Sequence, residues 1–148
     1  MILRNATEHD IPALLTLIKE LAVFEKAPNE VSNTESRMLE DGFGEKKIFD
    51  AFVAEIDGKI VGCAVVYFRY STWKGRCLYL EDLIISEPYR GLGAGTLLFE
   101  RCIQFAKETN SKLMVWQVLD WNTPAIDFYK KYNAKLDGEW INGTLQID

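Results

Sequence analysis

Residues 78–95 read Leu78-Tyr79-Leu80-Glu81-Asp82-Leu83-Ile84-Ile85, Ser86-Glu87-Pro88-Tyr89, then Arg90-Gly91-Leu92-Gly93-Ala94-Gly95, and a run with apolar Leu98, Cys102 and Phe105 follows. An apolar strand, a short connection, a glycine loop and a helix with one apolar face are the reading of that order. Glycines at alternate positions keep side chains out of the loop and allow positive φ where the turn needs it. The helix behind them starts with N–H groups that have no internal partner and with a partial positive charge.

Strand, glycine loop and helix N-terminus together predict a phosphate or pyrophosphate site, with Arg90 as a fixed cation beside it. A dinucleotide fingerprint needs glycine at position 96, where Thr96 stands, and a Walker loop needs a Gly-Lys pair that is absent. The other reading is a strand-to-helix turn without a ligand, although a plain turn has little need of three glycines and an arginine.

The run Pro88 to Gly95 resembles the R/Q-x-x-G-x-G/A acetyl-CoA pyrophosphate loop of the GNAT superfamily of N-acetyltransferases. Leu78-Tyr79-Leu80-Glu81-Asp82 before it, and Trp121-Asn122-Thr123-Pro124-Ala125-Ile126-Asp127-Phe128-Tyr129-Lys130-Lys131 after it, are similar to the diamine (spermidine/spermine) and thialysine acetyltransferase branch. The resemblance covers nearly the whole chain. It implies a single-domain α/β GNAT fold over residues 1–148, with a mixed, mostly antiparallel sheet whose central parallel strand pair splays apart and is flanked by helices.

Length and charge are compatible with that. A chain of 148 residues makes one domain that buries about 68–70% of its unfolded surface. The net charge of −5, from 22 acidic against 17 basic residues, disfavours a nucleic-acid partner and suits cationic small molecules. Met1-Ile2-Leu3-Arg4-Asn5 lacks a signal-peptide run and no stretch reaches the length of a membrane span, so a cytoplasmic protein without a membrane partner is expected. Cys63, Cys77 and Cys102 are scattered, without metal-ligand spacing, and read as small buried hydrophobes.

Along the chain, Ile2 to Ala6 is a short strand. Thr7 and Asp10 form a capping-box pattern before Ile11, Leu14, Leu15, Ile18, Leu21 and Ala22, which predict a helix to about Phe24. The single histidine, His9, falls in its first turn and reads as a surface residue. Thr34 to about Leu39 is a second helix and Asp41 to Gly44 a loop. Residues 49–56 and 59–68 flank Asp57-Gly58, a hairpin signal, and with 78–85 they form a meander. Residues 113–119 read as a buried strand, parallel to 78–85 because a helix connects the two. Thr123 to Lys131 is a short helix with Pro124 in its first turn, and 134–136 and 140–147 are expected to close the sheet.

Acetyl transfer sets three demands. An acceptor amine with a pKa near 10.4 is neutral in about one molecule in a thousand near pH 7.4, a cost of roughly 4 kcal/mol, which a nearby carboxylate lowers. Glu81 and Asp82 are neighbours on a strand and are expected on opposite faces; a solvated strand-end pair is the alternative. The resemblance makes Glu81 the water-linked base and has Asp82 help hold the amine. It makes Tyr129 the general acid for the leaving thiolate, a tyrosine being protonated at neutral pH, with core packing as the alternative role.

The oxyanion and the cofactor's amides meet backbone N–H groups around Leu83, Ile84 and Ile85 in that family. The resemblance implies that Arg90, Gly91, Leu92, Gly93, Ala94, Gly95 and Thr96 hold the pyrophosphate and that Asn122, Phe128 and Lys131 line the rest of the acetyl-CoA site. For the acceptor, Phe24, Glu25, Trp73, Glu81, Asp82 and Trp121 combine aromatic faces with carboxylates, a pairing that attracts ammonium ions. Trp140 has the same character, and packing in the core or a dimer interface is the alternative for each tryptophan. The expected protein is a metal-free acetyl-CoA-dependent N-acetyltransferase acting on a polyamine, diamine or thialysine-like amine, and the resemblance implies a homodimer. A protein or peptide N-acetyltransferase and a non-catalytic acyl-CoA-binding module are the alternatives.

Overall fold

Asp57 and Gly58 both adopt positive φ, 49° and 78°, the two-residue turn whose twist matches that of paired strands. They join β2 (Asp50–Ile56) to β3 (Lys59–Ser71), the centre of the sheet in this computed structural model, which describes residues 1–147. With β1 (Ile2–Asn5), β4 (Gly75–Ile85) and β5 (Leu113–Trp116) they form one five-stranded sheet in the order β1-β2-β3-β4-β5. All pairs are antiparallel except β4 with β5, which is parallel as the intervening helix requires. Backbone contacts divide the described chain into two units, residues 1–117 and the remainder from Val118.

In the first unit α1 (Ile11–Phe24) and α2 (Glu35–Phe43) lay Leu14, Leu15, Leu17 and Met38 against Val53, Cys63, Val65 and Ile84. On the other face α3 (Ala94–Glu108) buries Leu98, Phe99 and Cys102, and its Phe105 meets Phe52 and Phe68 at ring distances of 5.4 and 5.9 Å. The three cysteines are free and buried, and burial pushes the Cys102 thiol up to about 12. No helix among the described residues is long and apolar enough to cross a membrane.

The N-terminal cap carries more than its pattern foretold. Asp10 accepts from the Thr7 N–H at 2.7 Å and receives both arms of the Arg4 guanidinium at 2.8 and 3.0 Å; Arg4 also reaches Glu55 at 3.1 Å. The Arg4 guanidinium, held between Asp10 and Glu55, therefore ties β1, β2 and the start of α1 together.

Four expectations need correction. The second helix continues to Phe43 through the supposed loop, because Gly42 lies against the Phe49 ring, where a Cβ would overlap it. β3 and β4 extend to Ser71 and back to Gly75, so their hairpin reaches well beyond the predicted ends. β5 stops at Trp116 and is half-exposed, because it lies at the sheet edge. Residues 134–136 and 140–147 form no strand. Gly138 and Gly143 interrupt that apolar run, and Asp137 takes the Glu139 N–H at 3.0 Å in a local turn, drawing a backbone donor away from any ladder.

Replacing Asp10 with Ala should lower stability by about 1–3 kcal/mol, since it removes two hydrogen bonds of Arg4, which keeps only Glu55, and leaves the Thr7 N–H without its acceptor. The Arg4 hydrogen bonds hold the Asp10 carboxyl below the ordinary aspartate value. Its contribution is thus present above that value, near 3.9, and is lost as pH falls through the folded pKa. Urea midpoints of wild type and D10A should converge in strong acid and stay apart at neutral pH.

Candidate functional site

The site is built on one interruption in β4. Along β3 the partners are Tyr67↔Tyr79, Val66↔Leu80, then Val65↔Asp82, so Glu81 is an extra residue bulged from the ladder. The alternation expected for Glu81 and Asp82 fails for that reason. Tyr79 and Asp82, three apart, share a face because their partners Tyr67 and Val65 are two apart. The Tyr67 hydroxyl feels both carboxylates: burial raises its pKa first, and Glu81 and Asp82 raise it further.

The same residue ends the parallel pairing. β4 and β5 are paired from Cys77/Leu113 to Leu80/Trp116, and residues 81–85 have no strand neighbour on that side among the described residues. The Ser86 N–H donates to Val61 of β3 at 2.8 Å. Strand alternation then directs the N–H groups of Leu83 and Ile85 to the opposite, unpaired edge. Ile84 departs from its expected role: its side chain belongs to the core beneath α1, and its N–H faces β3.

The glycine loop follows directly. Gly91 and Gly93 have φ of 83° and 87°, and nothing lies within 4 Å of where their Cβ atoms would be. Gly93 is the N-cap of the 15-residue α3 and supplies no side-chain cap. Leu92 and Thr96 are exposed and Ala94 is buried beneath them. Open space, unfilled N–H donors and a helix dipole fit a diphosphate.

α1 holds this loop in place. Glu20 receives the Ser86 hydroxyl at 2.9 Å and the Glu87 N–H at 3.1 Å. The Arg90 Nε donates to the Ile85 carbonyl at 2.9 Å, and its guanidinium lies over the Phe24 ring at 5.4 Å. Phe24 is thus a support for the loop's cation. Sequence reasoning missed Glu20, since nothing near it in the chain signals a partner 66 residues away.

Glu25, the C-cap of α1, completes a group of three carboxylates with Glu81 and Asp82. Burial, then Glu81, then Glu25 push Asp82 up to about 7, and burial also raises Glu25. Tyr67 and Tyr79 lie beside them with ring centroids 5.1 Å apart. Trp73 is 87% exposed at the tip of the β3–β4 hairpin. His9 is 88% exposed by its side chain, in keeping with a surface role.

In the second unit, α4 (Thr123–Lys130) begins with Asn122, whose side-chain oxygen accepts the Ala125 N–H at 3.3 Å. Asn122, expected at the cofactor, thus has its side-chain oxygen engaged as the helix cap. Tyr129 is buried, with the Phe128 ring edge-on at 5.5 Å. Lys131 is the exposed C-cap, and Trp121 is 41% exposed.

The sequence model of the Acetyltransferase (GNAT) family matches residues 16–134. Thialysine N-epsilon-acetyltransferase of Bos taurus is 38% identical over 143 residues, covering 91% of this chain and 84% of its own. The human spermidine/spermine N(1)-acetyltransferase-like protein 1 is 37% identical over 139 residues, 89% of this chain and 20% of its own. Among solved structures, a mutant of the BH1408 protein of Bacillus halodurans superposes with a TM-score of 0.79 at 26% identity, covering 99% of this chain and all of its own.

Asp82 has a measurable signature. A carboxyl with a raised folded pKa stabilises below the ordinary aspartate value and loses that stabilisation as pH rises through about 7. The melting temperature of the wild type should fall between pH 5 and 8. Asp82→Asn should flatten the profile and gain on the order of 1–3 kcal/mol at pH 8. Calorimetric melts across that range check it, and parallel profiles would show that Asp82 is ionised throughout.

Proposed function

The chain belongs to the acetyltransferase (GNAT) family, and we propose that it transfers acetyl from acetyl-CoA directly to a primary amine of a small cationic acceptor. It is an N-acetyltransferase, and the names of its relatives, thialysine and spermidine/spermine acetyltransferases, support an amine acceptor. One observation carries the reading: the unpaired edge of β4 at 81–85 runs into a glycine loop and a helix start whose donors no side chain caps.

The N–H groups of Leu92 to Gly95 and the Arg90 guanidinium hold the diphosphate, and Glu20 and Phe24 keep that loop in shape. Leu83 and Ile85 offer N–H groups to the amide arm and to the carbonyl oxygen as it gains charge. Acetyl-CoA supplies the activated acetyl thioester. Glu25 and Asp82 draw the ammonium form of the acceptor in, and Glu81, on its bulge, takes the proton directly or through water. As the new C–N bond forms and the C–S bond breaks, the Tyr129 hydroxyl gives a proton to the departing sulfur. A homodimer is part of the same reading, supported by the exposed aromatics Tyr70 and Trp73 on the β3–β4 hairpin.

The decisive assay is thiol release from acetyl-CoA with spermidine, putrescine, thialysine, lysine and a basic peptide. Release with at least one of the small amines and little with the peptide is expected; release with none would leave a binding module. Tyr129→Phe should lower kcat roughly 10²-fold, within the range of general acid catalysis, while calorimetry shows unchanged acetyl-CoA affinity. Glu20→Ala should instead weaken acetyl-CoA binding about fivefold or more, since it removes two hydrogen bonds that shape the loop, and should leave kcat at saturation largely intact.

A further inference from the structure

β3 carries Val65, Tyr67 and Arg69 on one face of the sheet, by strand alternation. The first two pair with Asp82 and Tyr79, so Arg69 is the next residue outward from the proposed amine site. Its guanidinium lies over the Tyr79 ring, 5.8 Å from the centroid, and Tyr79 stacks at a tilt on Tyr67. Arg69 is exposed and has no carboxylate partner among the described residues.

The tyrosine pair is therefore flanked by opposite charges. Burial raises the pKa of both hydroxyls most, Glu81 raises it further and Arg69 lowers it, in keeping with the guanidinium over Tyr79. Tyr67 is two residues, roughly 7 Å, along β3 from the Val65–Asp82 pair. That is close to the length of an extended lysine side chain.

We propose that Arg69 is the anchor for a substrate carboxylate, making the acceptor an amino acid with a terminal amine, of the lysine, ornithine or thialysine kind, and not a polyamine. The Arg69 guanidinium, which lies over Tyr79, the cross-strand partner of Tyr67, forms paired hydrogen bonds with an α-carboxylate while the distal amine meets Glu81 and Asp82. A polyamine of the same length puts a second ammonium beside Arg69, and like charges repel. The aliphatic stretch between the two ends lies across the Tyr67–Tyr79 rings.

This inference rests on the acetyltransferase reading above, and matched substrates separate the two. Lysine and cadaverine carry the same distal amine and differ in the carboxylate, as do ornithine and putrescine; lysinamide removes only the negative charge. Wild-type kcat/KM should favour lysine over both cadaverine and lysinamide by roughly 10- to 100-fold, the worth of a charge-assisted contact. Arg69→Leu should erase that preference by lowering the lysine value alone, and Arg69→Lys should restore part of it. A packing role for Arg69 would lower all substrates together. Equal rates for lysine and cadaverine, or a preference that survives Arg69→Leu, would overturn the inference alone. Failure of every amine to release thiol would overturn the acetyltransferase reading along with it.

Discussion

One extra residue in β4 governs the rest of the site. If Val65 and Val66 faced consecutive residues of β4, Glu81 and Asp82 would lie on opposite faces and β5 could continue its parallel ladder past Leu80. The bulge at Glu81 prevents both. It turns two adjacent carboxylates toward the same tyrosine surface, and it leaves the edge of β4 from 81 to 85 without a strand neighbour. A broken ladder leaves backbone N–H groups without partners, and buried unpaired donors are costly. Here those of Leu83 and Ile85 face the edge that has no strand neighbour, and on the proposed reading they meet the cofactor's amides. The apolar side chain of Ile84, in the core between them, stabilises a strand that pairs on one side only.

The glycine loop has a complementary need. Its freedom at Gly91 and Gly93 lets a diphosphate approach the backbone, and the same freedom costs entropy when the loop is ordered. The fixed points come from α1, at no distance in space but far along the chain. Glu20 receives Ser86 and Glu87, and Phe24 lies under Arg90. Because Glu25 follows at the end of the same helix, the last turns of α1 hold the glycine loop through Glu20 and Phe24 and bear on Asp82 through Glu25. A shift of that helix moves both.

Features set by neighbours in the chain were legible in the sequence. The strand, the glycines and the apolar face of α3 are local patterns, as are the Asp57-Gly58 turn and the Thr7–Asp10 cap. Features set by register were not. A bulge is a property of two paired strands, so no inspection of Glu81 alone reveals it. Tyr67, Tyr79 and Arg69 read as ordinary strand residues until their partners are known, and Glu20 reads as one polar residue on an amphipathic helix. The helix through Gly42 was hidden because its glycine makes room for the Phe49 ring, a contact between residues that look like loop. The tail misled in the opposite direction: Trp140, Ile141, Leu145 and Ile147 have the composition of a strand, while Gly138, Gly143 and the Asp137 turn withhold its backbone.

The three carboxylates also complicate the identification of the base. Asp82, with its pKa pushed up to about 7 by burial and by its acidic neighbours, is partly protonated in the free protein at neutral pH. On the proposed reading an ammonium ion attracts its ionised form, so that acceptor binding would release a proton and tighten as pH rises through that value. The fraction of acceptor present as free amine rises over the same range. Two independent effects therefore increase turnover with pH before Glu81 is considered, and an alkaline rise in rate cannot by itself assign the base. The separation lies in the kinetic constants. Ionisation of Asp82 in the free enzyme enters kcat/KM, whereas a proton transfer to Glu81 within the loaded complex enters kcat, and only the second depends on the bulge that aims that carboxylate.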